Sequence, residues 1–207
     1  VTAINVFKSS DAVHVFSDGL WCDPVTGKPA GKGTKILVLP ELNALVGVTG
    51  LSPVPFLLSP LLIETPFDDL RSLVDAMPDL VKTCYAQGKA AGQNFTGRCD
   101  VVLAGWSENA GALIHVVECY PHHDIFKARP DEQYIQPKVV GSADMFFPED
   151  GLRLLEKQRA AKFSRPDAGT FGSTTVTGLV GGFAQYTQID SDGIRIKVLA
   201  RWPDNIQ

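Results

Sequence analysis

TKILVLPELNALVGVT, residues 34–49, decides how the rest of the chain is read. Two apolar runs, 34–39 and 43–49, flank Pro40 to Leu42, the pattern of two antiparallel strands joined by a tight connection. A half-exposed antiparallel sheet alternates apolar with polar residues. KILVL and ALVGV are instead apolar at nearly every position, and VVLAG at 101–105 and ALIHVV at 112–117 repeat the pattern. Both faces of these strands must therefore be covered.

Working outward, residues 2–8 and 12–18 form a first hairpin around Ser9, Ser10 and Asp11. RCDVVLAGWS and GALIHVVECY make a third pair turning at Glu108 to Gly111, IQPKVVGS follows, and GGFAQYTQID with GIRIKVLARW closes the chain around Ser191 to Gly193. TPFDDLRSLV predicts a helix with Thr65 as N-cap, Pro66 at its first position and apolar Leu70, Leu73, Val74, Met77, Leu80 and Val81 at helical spacing. Pro78 is expected to kink or divide it. A second helix is predicted from about Pro148 to Phe163, while 164–181 reads as a loop or a weak, short helix. Two helical blocks among antiparallel strands give an α+β expectation: a four-layer αββα sandwich of two antiparallel sheets flanked by helices. With 44% apolar residues and no shift in composition, residues 1–207 are expected to form one domain.

Composition narrows the function. The net charge is −4, from 19 basic and 23 acidic side chains, without a basic run to track phosphates, so nucleic acid is not an expected partner. PVPFLLSPLLI at 53–63 is too short and proline-broken to be expected to cross a membrane, and the first residues do not read as a basic-then-apolar leader, so no secretory signal is expected in the residues given. Four cysteines without CxxC spacing fit reduced thiols in a cytoplasmic setting, and the Asn94 sequon is read as chance. Neither a P-loop nor a dinucleotide fingerprint is present.

Chemistry concentrates in the two leading hairpins. If Ser9 to Asp11 form the turn, partners sum to about 20, which sets Thr2 opposite Asp18 at about 5 Å between Cβ atoms. In the second hairpin Lys35 falls opposite Gly47 to Thr49, beside Gly50. A lysine opening an apolar strand needs a carboxylate to stay charged there, and Asp18 is the one expected to supply it. Taken singly, Ser-Asp-Gly is an ordinary turn, a lysine at a strand start is usually solvated, and a threonine near a chain end usually does nothing.

Together, Thr2, Asp18 in SDG, Lys35 in TKILVL and Gly50 in VGVTG resemble the active-site series of the proteasome β-type branch of N-terminal nucleophile hydrolases. VVLAGWSENAGALIHVVE, VVGS at 139–142 and GGFAQYTQIDSDGIRIK resemble later segments of that family. The resemblance implies the αββα fold and a threonine whose hydroxyl attacks a carbonyl while its free α-amine takes the proton. It implies that Lys35 favours the developing alkoxide, that Asp18 holds Lys35, and that the Gly50 N–H donates to the oxyanion. Ser142 would support the Thr2 amine, although Ala143 stands where the family has glycine. Ser173 is a weak match to a further serine, and Trp21 lies in the loop, 20–33, that borders the family's specificity pocket. No cofactor or metal is implied.

The function expected is threonine-type hydrolysis of amide bonds, peptide bonds foremost, in a homo-oligomer such as a ring. A non-catalytic ring-forming subunit and a small-molecule amidase are the alternatives. The apolar surface of 53–67 is a further reason to expect self-association. Thr2 would work only with Val1 absent; Val1 is read first as a translated GTG start that is trimmed, with a pro-residue removed by self-cleavage and a member that never matures as the alternatives. His122 and His123 read as loop residues rather than metal ligands, His14 as a hydrogen-bonded structural histidine, and Cys22 as a poor rival nucleophile with no basic partner nearby in sequence.

Overall fold

The computed structural model describes residues 2–204 except 24–27, 52, 94, 143, 162, 167–172 and 177–179, and gives only the backbone at 163–166 and 173–176. The readings of Val1, Asn94 and Ala143 therefore fall outside the described residues, as does much of 164–181.

Two five-stranded antiparallel sheets carry the fold. The first contains β1 (Ile4–Lys8), β2 (Val13–Asp18), β10 (Gln133–Gln136), β13 (Phe183–Asp190) and β14 (Gly193–Arg201), in the order β10-β1-β2-β13-β14. The second runs in sequence order: β5 (Ile36–Leu39), β6 (Ala44–Thr49), β7 (Cys99–Ser107), β8 (Gly111–Tyr120) and β9 (Ile125–Pro130). Two short ribbons are added, β3 (Leu20–Cys22) with β4 (Pro29–Lys32) and β11 (Phe163–Pro166) with β12 (Ser173–Val176). Ile4, Val6, Val15, Leu45, Val102, Ile114 and Ile189 fill the layer between the large sheets. β6 and residues 99–105 of β7 are buried on both faces, as their pattern requires, whereas Leu37–Leu39 of the edge strand β5 and Leu113 and His115 of β8 are only half-buried.

The expected four-layer αββα sandwich is corrected. The described chain is β-rich, fourteen strands against three α-helices. Helices α1 (Val54–Glu64) and α2 (Leu70–Ala90) cover the outer face of the second sheet, through Leu58, Leu73, Met77 and Val81. Over the first sheet lies a single ten-residue helix, α3 (Gly151–Ala160), helped by Met145, Phe147 and Val180 from irregular chain. A continuous apolar strand demands that water be excluded from both faces but does not specify a helix as the cover.

Local boundaries shift for identifiable reasons. Thr65 ends α1 in extended backbone, as a residue before proline favours, instead of opening a helix. The N-cap of α2 is Asp69, in a reciprocal capping box with Ser72. Pro78 lies inside α2 without dividing it, because the apolar face on either side is held by the sheet. Of IQPKVVGS only 135–136 are in a strand, β10, which begins at Gln133 and ends before Pro137, and the helix predicted from about Pro148 to Phe163 runs from Gly151 to Ala160. Within α3, Gln158 exchanges two hydrogen bonds with buried Asn5 of β1, 2.8 and 2.9 Å, which docks the helix on the sheet. Among the described residues no helix is long and apolar enough to cross a membrane, and all four cysteines are free thiols. His122 and His123 sit in an exposed 3-10 turn.

His14 is hydrogen-bonded on both nitrogens, Nδ1 lying 2.8 Å from the Tyr186 hydroxyl and Nε2 3.1 Å from Ser9 Oγ. Burial pushes the imidazoles of His14 and His115 below the ordinary histidine range. The unfolded chain then binds protons first as pH falls through the ordinary value of about 6.5, so stability is fully present above it and lost below. The urea midpoint is expected to be lower at pH 5.5 than at pH 7.5, and His14→Gln with His115→Gln to shrink that difference; an unchanged difference would contradict this origin.

Candidate active site

Asp18 is the last residue of β2, and its side chain is completely buried. Its Oδ1 accepts from Lys35 Nζ at 2.7 Å and from the Ala3 N–H at 2.9 Å; its Oδ2 accepts from the Gly181 N–H at 3.0 Å and the Leu20 N–H at 3.2 Å. Four donors satisfy the carboxylate, and Lys35, 2% exposed, has its charge matched.

The hairpin register corrects the expectation for Thr2. Strands β1 and β2 pair Ile4 with Ser17 and Lys8 with Val13, so partners sum to 21. The reason is a four-residue loop, Ser9 to Ala12, closed by the Ser9 N–H donating to the Ala12 carbonyl at 2.9 Å. Ala3, not Thr2, stands across from Asp18, and the Asp18 N–H donates to the Ala3 carbonyl at 3.2 Å. Thr2 is consequently one peptide bond from the amide held by the Asp18 carboxylate. Lys35 immediately precedes β5, where Ile36 pairs with Gly47, so it enters from the second sheet as expected. The Trp21 ring lies 6.0 Å from Lys35 Nζ and 5.3 Å from the Phe56 ring.

Gly50 follows β6 with φ +99°, and a Cβ there would fall 2.6 Å from the Arg98 carbonyl oxygen, so glycine is required. Among the described residues no acceptor pairs with the Gly50 N–H. Ser142 is half-buried, with its N–H donating to the Val139 carbonyl at 3.3 Å. Ser173 lies in β12, where only the backbone is described. Cys22 is half-buried, and burial pushes its thiol above the ordinary range, away from the nucleophilic thiolate.

The Gly181–Gly182 turn is absent from the sequence-derived site. Gly182 has φ +75°, and a Cβ on it would lie 2.8 Å from the Gly19 carbonyl carbon, so this glycine lets Gly181 approach Asp18. Asp204 accepts from the Gly182 N–H and from Arg159 at 2.6 Å, and Arg159 also reaches the Val180 carbonyl. The Gly-Gly pair ahead of an apolar strand was the available signal.

The arrangement presents a buried ammonium, held by a fully satisfied carboxylate beside the Thr2–Ala3 peptide. Such a set suits stabilisation of negative charge on oxygen. A scan against protein-family models and a search of curated proteins both find no match to this chain.

Asp18→Ala leaves the Lys35 ammonium buried without its partner and is expected to lower unfolding free energy by about 3–5 kcal/mol in urea titrations. Asp18→Leu combined with Lys35→Met should recover most of that loss. A single-variant cost of about 0–1 kcal/mol, as for an exposed pair, would show that the burial does not matter.

Proposed function

We propose that this chain is a threonine-type N-terminal nucleophile hydrolase of amide bonds, peptide bonds foremost, acting in a form that begins at Thr2. The observation carrying this reading is the buried Lys35–Asp18 pair, tied by the Ala3 N–H to the peptide unit that follows Thr2. An α-amine has an ordinary pKa of about 7.7–8.0, suited to accepting a proton near neutral pH, whereas an amide nitrogen at Thr2 offers no basic lone pair. The amine takes the hydroxyl proton as Thr2 Oγ1 attacks the substrate carbonyl carbon. Lys35 stabilises charge on the attacking oxygen, and the Gly50 N–H donates to the tetrahedral oxyanion. Collapse breaks the C–N bond, the α-ammonium returns its proton to the leaving amine, and an ester remains on Thr2. Water, deprotonated by the same amine, then attacks the ester, releasing the acid and regenerating Thr2. The scheme uses no cofactor.

Self-association belongs to the same reading. Phe56, Pro60 and Ile63 recur at i, i+4 and i+7 on α1 and are all exposed, Phe56 at 67% and Ile63 at 83%. An apolar stripe of this kind fits a contact between copies of the chain.

Two measurements test these readings. Protein processed to start at Thr2 should hydrolyse fluorogenic peptides, and Thr2→Ala or Lys35→Ala, shown folded by circular dichroism, should reduce turnover about 10²–10⁴-fold. Undiminished turnover in Thr2→Ala, or in protein keeping any residue before Thr2, would refute the threonine mechanism. In light scattering the mass should be a multiple of one chain and should fall when Phe56 and Ile63 are both changed to Glu; a single-chain mass at every concentration rules out the assembly.

A further inference from the structure

Tyr134 belongs to β10, the edge strand of the first sheet, yet its hydroxyl terminates on the second sheet. The ring is buried in the layer between the sheets. Its oxygen lies 2.6 Å from Thr49 Oγ1, and its O–H donates to Asp100 Oδ2 at 3.2 Å. Arg98 donates to the same carboxylate from Nε and Nη2 at 3.2–3.3 Å, and its guanidinium lies 4.5 Å over the Tyr120 ring. Because the ion-paired carboxylate only accepts, Tyr134 donates to it, and the Thr49 hydroxyl in turn donates to Tyr134. The chain of hydrogen bonds has one direction, from Thr49 through Tyr134 to Asp100. Burial, and then the neighbouring Asp100 carboxylate, push the Tyr134 phenol above its ordinary range, which keeps it a donor.

Thr49 is the last residue of β6 and pairs with Asp100 of β7, so the hydroxyl bonds join both strand ends where they face Gly50. The Gly50 N–H shares a planar peptide unit with the Thr49 carbonyl, so holding Thr49 sets the direction of that N–H. On the other side Gly50 is backed by the Arg98 carbonyl, whose side chain closes the same network through Asp100.

We infer that Tyr134 is a positioning residue for the Gly50 N–H, acting through Thr49 from the opposite sheet. This rests on Gly50 being the oxyanion donor of the function proposed above. Loss of the phenol oxygen leaves the fold and the substrate contacts in place but releases the peptide plane of the donor.

The test uses protein beginning at Thr2, as wild type, Tyr134→Phe, Thr49→Val and the double variant. Loss of one whole oxyanion donor costs about 10²–10³-fold in kcat, so misdirecting it is expected to cost about 10–10²-fold. KM should change less than about twofold, and affinity for a peptide aldehyde, which forms an oxyanion-bearing adduct with Thr2, should fall by the same factor as kcat. The double variant should be no worse than the worse single variant, because both cut one chain of bonds. Thr49→Val carries the test if Tyr134→Phe does not fold. Independently of turnover, the Gly50 amide resonance should change in Tyr134→Phe, where the neighbours of Gly50 in sequence are unaltered, and its hydrogen-exchange rate in either variant. Unchanged kcat together with an unchanged Gly50 amide overturns the inference while leaving the Thr2 mechanism standing. If wild type is inert toward every peptide, the hydrolase reading fails and the Gly50 amide alone decides this one: a changed resonance supports the coupling, an unchanged one refutes it.

Discussion

A carboxylate with no exposure to water organises this protein. Removing an ionised group from solvent costs several kcal/mol unless each of its acceptor positions is filled and its charge is matched. Asp18 meets that demand with donors from four separate places in the chain: Ala3 before β1, Leu20 in β3, Lys35 before β5 and Gly181 before β13. Three are backbone amides, whose positions follow from strand pairing, and one is a cation arriving from the other sheet. Satisfying one buried charge thus brings together the start of the first strand, both large sheets and the approach to the final hairpin. The environment proposed for Thr2 is a consequence of that requirement.

The same logic recurs beside it in weaker form. Asp100, Tyr134 and Thr49 are buried polar groups placed where the two sheets face each other, and they satisfy one another through a bridge that crosses between them. Buried hydrogen bonds of this kind add little net stability when made but are costly to leave unmade, so they select one relative placement of the sheets. The apolar layer formed by Ile4, Val15, Leu45 and Val102 supplies the non-directional attraction, and the polar bridges define register within it.

The second cover shows how a layer can be met by unlike means. Over one sheet, α1 and α2 present apolar stripes. Over the other, Met145, Phe147 and Val180 do part of what a helix would do, alongside α3. The buried exchange between Asn5 and Gln158 fixes where α3 rests, since a shift would leave the Asn5 side chain and the Gln158 oxygen without these partners, and Gln158 Nε2 also donates to the Pro137 carbonyl at 2.7 Å. An αββα expectation drawn from strand composition therefore goes beyond what apolar runs convey, because water exclusion is indifferent to the secondary structure that provides it.

From its residues alone the chain determined what depends on neighbours in sequence: the hairpins, whose turns and apolar runs are local; the helical stripe of Leu70, Leu73, Val74 and Met77; and the need of Lys35, a lysine opening an apolar strand, for a counter-charge that Asp18 was expected to supply. It also marked Gly50 through its place after β6. The tertiary structure alone decided the register that sets Ala3 rather than Thr2 across from Asp18, since one extra residue in the Ser9–Ala12 loop shifts every cross-strand pair. It alone decided the part played by Gly181 and the bridge from Tyr134 to Thr49 and Asp100. Those contacts join residues 34 to 163 positions apart, where the sequence carries no periodicity to read and only the packing of one sheet on another determines which atoms meet.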